Sequence, residues 1–404
     1  MSQVRQTEPE VKVHRPIHDR KALRDHLQWA LSVEISTIPP YLCALYSIVD
    51  RSTDAAALVR SVVIEEMLHA ALVSNLLNAI GCKPSLAAEF VPRYPGYIPH
   101  HAAGGPFIQL QALSPTLAET VFMAIEQPEP SPHAPPEGNR FHTIGQFYKA
   151  IEVGFVNCAN RYPDLFADTG VQQSDTYFGA GGGKLVVVDS LETAGKAIRE
   201  ITEQGEGATH PKPPVPGDER FSDLDHYGTR LDGTYGPIVG TPWELSHYFK
   251  FRQLARGEVP VPATYPMQPN PSSGEFEGEV RALAELFDGC YTLVLRALER
   301  SFKTPDAAAS FFGTAFPVMQ SVLPQLATLL MTTPVEAGGD PELGPTAGPG
   351  FAYREQPVAT LVDEARWLLD RPLDYGNDYL QSWDATLNST AEVLGELTEV
   401  PEPA

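Results

Sequence analysis

The sequence predicts an all-α fold: a helical bundle with long loop insertions, followed by additional C-terminal helices. Three observations predict it. Apolar residues recur at helical spacing over many long stretches. Only one short segment, 184–188 (KLVVV), reads as a strand. Several helical stretches carry acids or imidazoles within their apolar stripes, the arrangement by which facing helices of a bundle enclose buried polar groups.

Taken in order, residues 1–20 read as an irregular lead-in, and a first helix is expected over 21–49, interrupted at Pro39-Pro40 because proline lacks a donor and clashes with the preceding turn. A second helix starts at Ser52-Thr53-Asp54, which offers N-caps, and ends at Gly81 with Pro84 beyond. Residues 84–115 form a long loop rich in Pro, Gly and aromatics, and helices follow near 115–127 and 139–160. The glycines of "FGAGGGKLVVVDS" precede the strand at 184–188, whereas a dinucleotide-binding turn needs them between strand and helix. Asp189 and Glu192 form a capping box that opens a helix to Gln204. After a loop at 207–240, Thr241-Pro242-Trp243-Glu244 is a further helix start. A linker at 259–275 divides a first domain, 1–265, from a helical region, 266–404, packed on it, with helices near 276–303, 306–332, 356–371 and 376–398.

The chain has 404 residues, 43% hydrophobic and 20% charged, with a formal net charge of −22. That is enough apolar material for a large core, and its acidity disfavours nucleic acid and anionic membranes as partners. Cys43, Cys82, Cys158 and Cys290 lie far apart with no CxxC pair, so buried reduced thiols are expected. With neither a signal-peptide core nor a membrane-length apolar run in the sequence, the expected location is cytoplasmic.

The chemistry lies in acids and histidines at helical spacing. On a wheel of about 100° per residue, Glu34 falls within the apolar stripe of the first helix, beside Leu27, Leu31, Ile38 and Tyr41. A glutamate there either reaches solvent or an arginine, or it faces a buried cation. In "VRSVVIEEMLHAALVSNLL", Glu66 and His69 share one face with Val59, Val62 and Val73, while Glu65 points about 100° away and reads as a rim residue. An ionised carboxylate on such a helix is costly unless paired, and a Glu-x-x-His pair lets one helix give an oxygen and a nitrogen to a metal. Glu244 and His247 repeat that spacing, although Glu244 also fits as the capping-box residue. For a fourth element, "IREITEQGEGATH" offers Glu206, nearest the apolar face, with Glu203 as second choice; Glu126 and Glu152 are alternatives. The ordered set Glu, Glu-x-x-His, Glu, Glu-x-x-His is that of ferritin-like di-iron carboxylate bundles. Mixed carboxylate and imidazole ligands with open positions suit iron, and two Fe bridged by Glu66 and Glu206 are expected to bind dioxygen. Tyr41 and Tyr248 are the expected catalytic residues; with Phe251 they line a substrate pocket or belong to the ordinary core. The adjacent pair His100-His101 reads as surface histidine.

"ALSVEISTIPPYLCALYSI", "IEEMLHAALVSNLLNAIG", "FYKAIEVG", "EQGEGA" and "SHYFKF" closely resemble the ferritin-like family of iminophenylpyruvate dimer synthase type, known from bisindole biosynthesis. The resemblance covers about residues 20–255, with a weaker echo near 316–351. It implies a ferritin-like bundle and carries Glu34, Glu66, His69, Glu206 and His247 over as metal ligands. The expected function is a non-haem di-iron oxidoreductase acting with dioxygen on a small amino-acid-derived or aromatic metabolite, by hydroxylation, N-oxygenation, desaturation or oxidative coupling. A homo-oligomer is compatible with that reading. The alternatives are a ferritin-type iron-binding or ferroxidase protein, against which the long loops and extra C-terminal residues speak, and a helical scaffold with a vestigial site.

Overall fold

The computed structural model describes residues 17–129, 135–174, 183–205, 245–336, 338–370 and 377–397. Helix α1 spans Arg20–Ser47, capped by Asp19, whose side chain accepts from the Ala22 N–H at 2.8 Å. The interruption expected at Pro39-Pro40 is absent; both prolines lie inside one helix. Pro40 has no N–H for the Ser36 carbonyl, and the Tyr94 hydroxyl donates to that carbonyl at 2.9 Å instead. Helix α2 spans Asp54–Ala79 with Thr53 as N-cap, and Gly81 leaves it at φ +73°, a conformation glycine adopts freely.

The loop beyond carries a two-stranded antiparallel ribbon, β1 (Gly96–Tyr97) with β2 (Phe107–Ile108). Helix α3, residues 115–125, contains a π-helical turn at Ala118–Phe122. Helices α4 (Ile144–Arg161), α5 (Leu191–Gly205) and α6 (His247–Ala255) complete the first layer. The strand expected at 184–188 does not form. Its backbone is satisfied by side chains: Val188 N–H donates to Gln172 Oε1 at 2.7 Å, and the Val186 carbonyl accepts from Asn75 at 2.9 Å. The capping box falls one residue later than Asp189–Glu192. The Ser190 hydroxyl accepts from the Thr193 N–H at 3.3 Å, and the Thr193 hydroxyl accepts from the Ser190 N–H at 3.0 Å. The helix start read at Thr241-Pro242-Trp243-Glu244 lies outside the described residues; Ser246 is the N-cap of α6.

The C-terminal layer comprises α7 (Gly278–Ser301), α8 (residues 307–331, with π-helical turns at Phe311–Ala315 and Val318–Val322), α9 (Val358–Leu369) and α10 (Asn377–Glu396). Helices α1 and α2 pack along each other, α4 lies on α1, α5 on α2 and α4, and α6 on α2 and α3. The C-terminal part of α8 packs on α1, so one continuous buried cluster runs from Ile17 to Leu394. All four cysteines are free. No helix among the described residues is long and apolar enough to cross a membrane.

Candidate metal centre

Each ligand candidate is buried by the face that places it. Glu34 on α1 and Glu66 and His69 on α2 are each about 2% exposed, and His247, the first residue of α6, is fully buried. Glu126 is 4% exposed and sits just past the last turn of α3. These five side chains form two groups of three, Glu34–Glu66–His69 and Glu66–Glu126–His247, and within each group the ligand atoms lie within 4.8 Å of one another. Glu66 belongs to both. The two imidazole rings stack 5.4 Å apart at 26°.

Both histidines turn Nδ1 toward the carboxylates and Nε2 away. His69 Nδ1 is 3.5 Å from Glu34 Oε2 and 3.7 Å from Glu66 Oε1, while its Nε2 meets Gln204 Oε1 at 2.9 Å. His247 Nδ1 is 2.8 Å from Glu66 Oε1 and 3.5 Å from Glu126 Oε2, while its Nε2 meets Glu65 Oε2 at 3.0 Å. The ionised Glu65 carboxylate only accepts, so Nε2 carries a proton, which leaves Nδ1 as the atom a metal would take. That Nδ1 is buried and has no hydrogen-bond partner among the described residues, despite two carboxylate oxygens close by. An imidazole nitrogen set among carboxylates in a dry interior calls for positive charge there, a proton in the metal-free chain and a metal in the loaded one. The donor set and this orphaned atom therefore fit a metal, and N/O ligands of this kind suit iron.

Outer residues hold the acids in place. Thr37 donates to Glu66 Oε2 at 2.6 Å, Tyr41 donates to Glu126 Oε1 at 2.5 Å, and Tyr148 donates to Glu34 Oε1. Lys250, fully buried one turn after His247, donates to Glu65 Oε2 at 2.7 Å. Gly205 ends α5 beside Glu126; a Cβ there would stand 3.4 Å from Oε2. Phe122 and Phe251 pack on the Tyr41 ring at 4.8 and 4.9 Å.

The electrostatics follow from this crowding. Burial and the charge of Glu126 push Glu66 up to about 7. Burial alone would lower His247, but the carboxylates of Glu126, Glu65 and Glu66 outweigh it and raise the imidazole well above its ordinary value. Burial works to raise Glu65, and the Lys250 charge with the His247 contact reverses that, holding it at about 2. Burial, with Glu126 for Tyr41 and Glu34 for Tyr148, keeps both phenols protonated.

The structure thus brings together Glu34, Glu66, His69 and His247 from the sequence reading. Glu206 and Glu244 lie outside the described residues. Glu203 is partly exposed and belongs to neither group; α5 contributes its neighbour Gln204 instead. Glu126, an alternative in the sequence, occupies the third acidic position, and Glu152 is exposed. Tyr41 reaches the centre, whereas Tyr248 packs with Leu245 and Phe249 in a separate cluster. The rim position expected for Glu65 is corrected: it is 1% exposed, because α6 docks against that flank of α2. Tyr148, Gln204 and Lys250 carried no sequence assignment, although Lys250 stands three residues from His247 on one helical face.

A helical bundle enclosing two carboxylate–imidazole groups with a shared glutamate defines the class of ferritin-like metal-binding folds. A ferritin-like family model matches residues 27–256, more than half of the chain, and the chain belongs to that family. A crystal structure of a ferritin-like protein from Caulobacter vibrioides is similar in fold, with a TM-score of 0.52 and 24% identity, covering 75% of this chain and 95% of that one. Among curated proteins none matches the chain. The family typically binds iron, and the Glu and His groups here are able to hold metal.

Proposed function

We propose that this chain is a non-haem di-iron oxidoreductase that uses dioxygen to oxidise a small amino-acid-derived or aromatic metabolite. The observation that carries the reading is Glu66, shared between two three-residue groups whose histidines both aim Nδ1 inward. Two such groups around one carboxylate suit a pair of metals, both of which Glu66 would help to hold. Two ferrous ions, if bound there, would supply two electrons to dioxygen, the substrate would supply the other two, and an external electron donor would return the ions to the ferrous state. Glu34 and His69 would hold one ion, and Glu126 and His247 the other. Tyr148 and Tyr41 keep a proton at Glu34 and Glu126, fixing which carboxylate oxygen faces the metal. The walls of Phe122 and Phe251 exclude water from the Tyr41 side. The reaction types this supports are hydroxylation, N-oxygenation, desaturation and oxidative coupling, the last being that of the iminophenylpyruvate dimer synthase type. Residues 1–265 form the metal-binding unit in this reading, residues 266–404 a helical layer over it, and the protein acts in the cytoplasm.

A second reading, ferroxidase activity without an organic substrate, is favoured by one observation. The space at the centre, lined by Glu34, Glu66, His69 and Glu126 with Gly145 and Gly205, is only about 10 Å³ among the described residues. It accepts ions and not an organic molecule. Elemental analysis and optical spectroscopy of anaerobically iron-loaded protein test the shared premise: two irons per chain and oxygen-sensitive bands are expected, and one iron or none overturns it. Oxygen uptake then separates the readings. Uptake that ends once the bound iron is oxidised, with or without metabolites, together with a cage-sized particle on a sizing column, selects the ferroxidase.

A further inference from the structure

A second cavity, of about 260 Å³, lies on the other flank of the α1–α2 pair. Ile35 and Ile38 of α1 and Met67 and Ala71 of α2 form its floor. At 100° per residue these point roughly 40–140° away from Glu34 or Glu66 on their own helices. Phe302, just past α7, and Phe311, Phe316 and Met319 of α8 form its roof. The cavity shares no lining residue with the space at the metal centre. Its roof is the part of α8 built from π-helical turns, at Phe311–Ala315 and Val318–Val322. Such turns displace side chains from the regular helical face and recur at functional sites.

The lining is apolar and uncharged. Among the described residues no Asp, Glu, Lys, Arg or His contributes to it. Of its polar members, Ser74 donates its hydroxyl to the Ala70 carbonyl at 2.8 Å, Gln173 donates to the Ser301 hydroxyl at 2.6 Å, and Gln320 stands at the exposed rim. The cavity opens at a rim where Phe316 and Gln320 are exposed, so its apolar wall meets water unless an occupant covers it. An apolar cavity of about 150 Å³ holds benzene, so this one has room for two fused rings. Phenylalanine rings and methionine sulfurs favour an aromatic occupant over an aliphatic one. A charged occupant finds no partner in the wall.

We propose that the cavity between the α1–α2 pair and α8 is a binding site for an uncharged bicyclic aromatic molecule, separate from the metal centre. It stands on the cavity alone and holds whether or not the centre binds iron.

The probe is 2-naphthol, neutral at pH 7 and fluorescent, with 2-naphthoate as its charged counterpart, titrated into the full chain after chelation. One equivalent of 2-naphthol is expected to bind saturably, and 2-naphthoate at least about tenfold more weakly. Ala71→Phe, filling the floor, and Met319→Trp, filling the roof, are each expected to weaken 2-naphthol binding about tenfold or more while leaving metal content unchanged. Glu66→Ala is expected to bind 2-naphthol as the parent does. Non-saturating binding overturns the proposal. So does equal affinity for the naphthoate, binding unaffected by both filling variants, or binding lost in Glu66→Ala. The naphthol–naphthoate comparison needs no variant and decides the matter if a filled core fails to fold. Metal content, read separately, reports on the di-iron assignment.

Discussion

The two halves of the centre use the same inner groups and hold them by different means. Around His69, Glu34 and Glu66 come from α1 and α2, the two longest helices, which pack along each other. There the outer partner of the imidazole is a neutral amide, Gln204. Around His247, the candidate ligands come from element ends. Glu126 follows the last turn of a helix interrupted by a π-helical turn, and His247 opens a helix of nine residues. Helix geometry fixes these two less firmly. A buried ion pair takes its place: Lys250 holds Glu65, and Glu65 holds His247. A carboxylate behind an imidazole fixes its tautomer and makes it a stronger donor to metal than an amide does. The difference teaches that a ligand on a long helix needs a light outer partner, whereas one at a helix end is positioned by charge.

The largest effect is expected where the halves cannot be separated. Glu66→Ala removes a ligand from both, and elemental analysis of iron-loaded protein is expected to fall from two equivalents to none. One retained equivalent shows that Glu66 is not shared. Next come the imidazoles singly. His69→Ala and His247→Ala are each expected to retain one equivalent, held by the untouched half. If either variant loses both, the halves are not independent and the comparison fails.

The outer partners test the comparison more finely. Glu65→Gln keeps the shape and removes the charge behind His247; loss of such a partner lowers metal affinity about 10–100-fold. Gln204→Leu removes only an amide from His69 and is expected to lower affinity by less than Glu65→Gln does. Chelator competition measures both. Equal losses, or the larger loss at Gln204, reverse the ranking of the two halves.

Regular helices made part of this site legible. Glu34, Glu66 and His69 lie on uninterrupted heptad-like stripes, and the wheel places them on the faces that the bundle buries. His247 was readable only because its spacing from Glu244 repeats that of Glu66 and His69. Glu126 was readable only as an alternative to Glu206. The π-helical turn at Ala118–Phe122 shifts its register, and it stands past the helix end, where a wheel has no meaning. Glu65 points off the Glu66 face, and only the docking of α6 makes that flank an interior. Pro39-Pro40 misled for a tertiary reason as well, since the partner that satisfies the freed Ser36 carbonyl is Tyr94, in a distant loop. The segment 184–188 has strand composition, and its backbone is satisfied by side chains rather than by a neighbouring strand.

The smallest expected effect is on pH dependence, and it concerns the carboxylate that both halves share. In the metal-free chain Glu66 is raised from 4.5 to about 7. Between those values the folded chain binds more protons there than the unfolded one, so stability falls as pH rises through that window. His247 is raised well above 6.5, so its contribution is full below 6.5 and is lost as pH climbs through the folded value. Glu65, lowered to about 2, contributes fully above 4.5 and adds no slope near neutrality. Iron reverses the sign, since the ligands bind it only when deprotonated and a cation then neutralises the same carboxylates. The gap in melting temperature between iron-loaded and chelated protein is therefore expected to widen from about pH 5.5 to about pH 8. Glu65→Gln should narrow that widening and Gln204→Leu should leave it nearly intact, because only the first alters a charge at the centre. Parallel melting curves for loaded and chelated protein across that range mean that metal and protons do not compete for these groups, and the metal assignment falls with them.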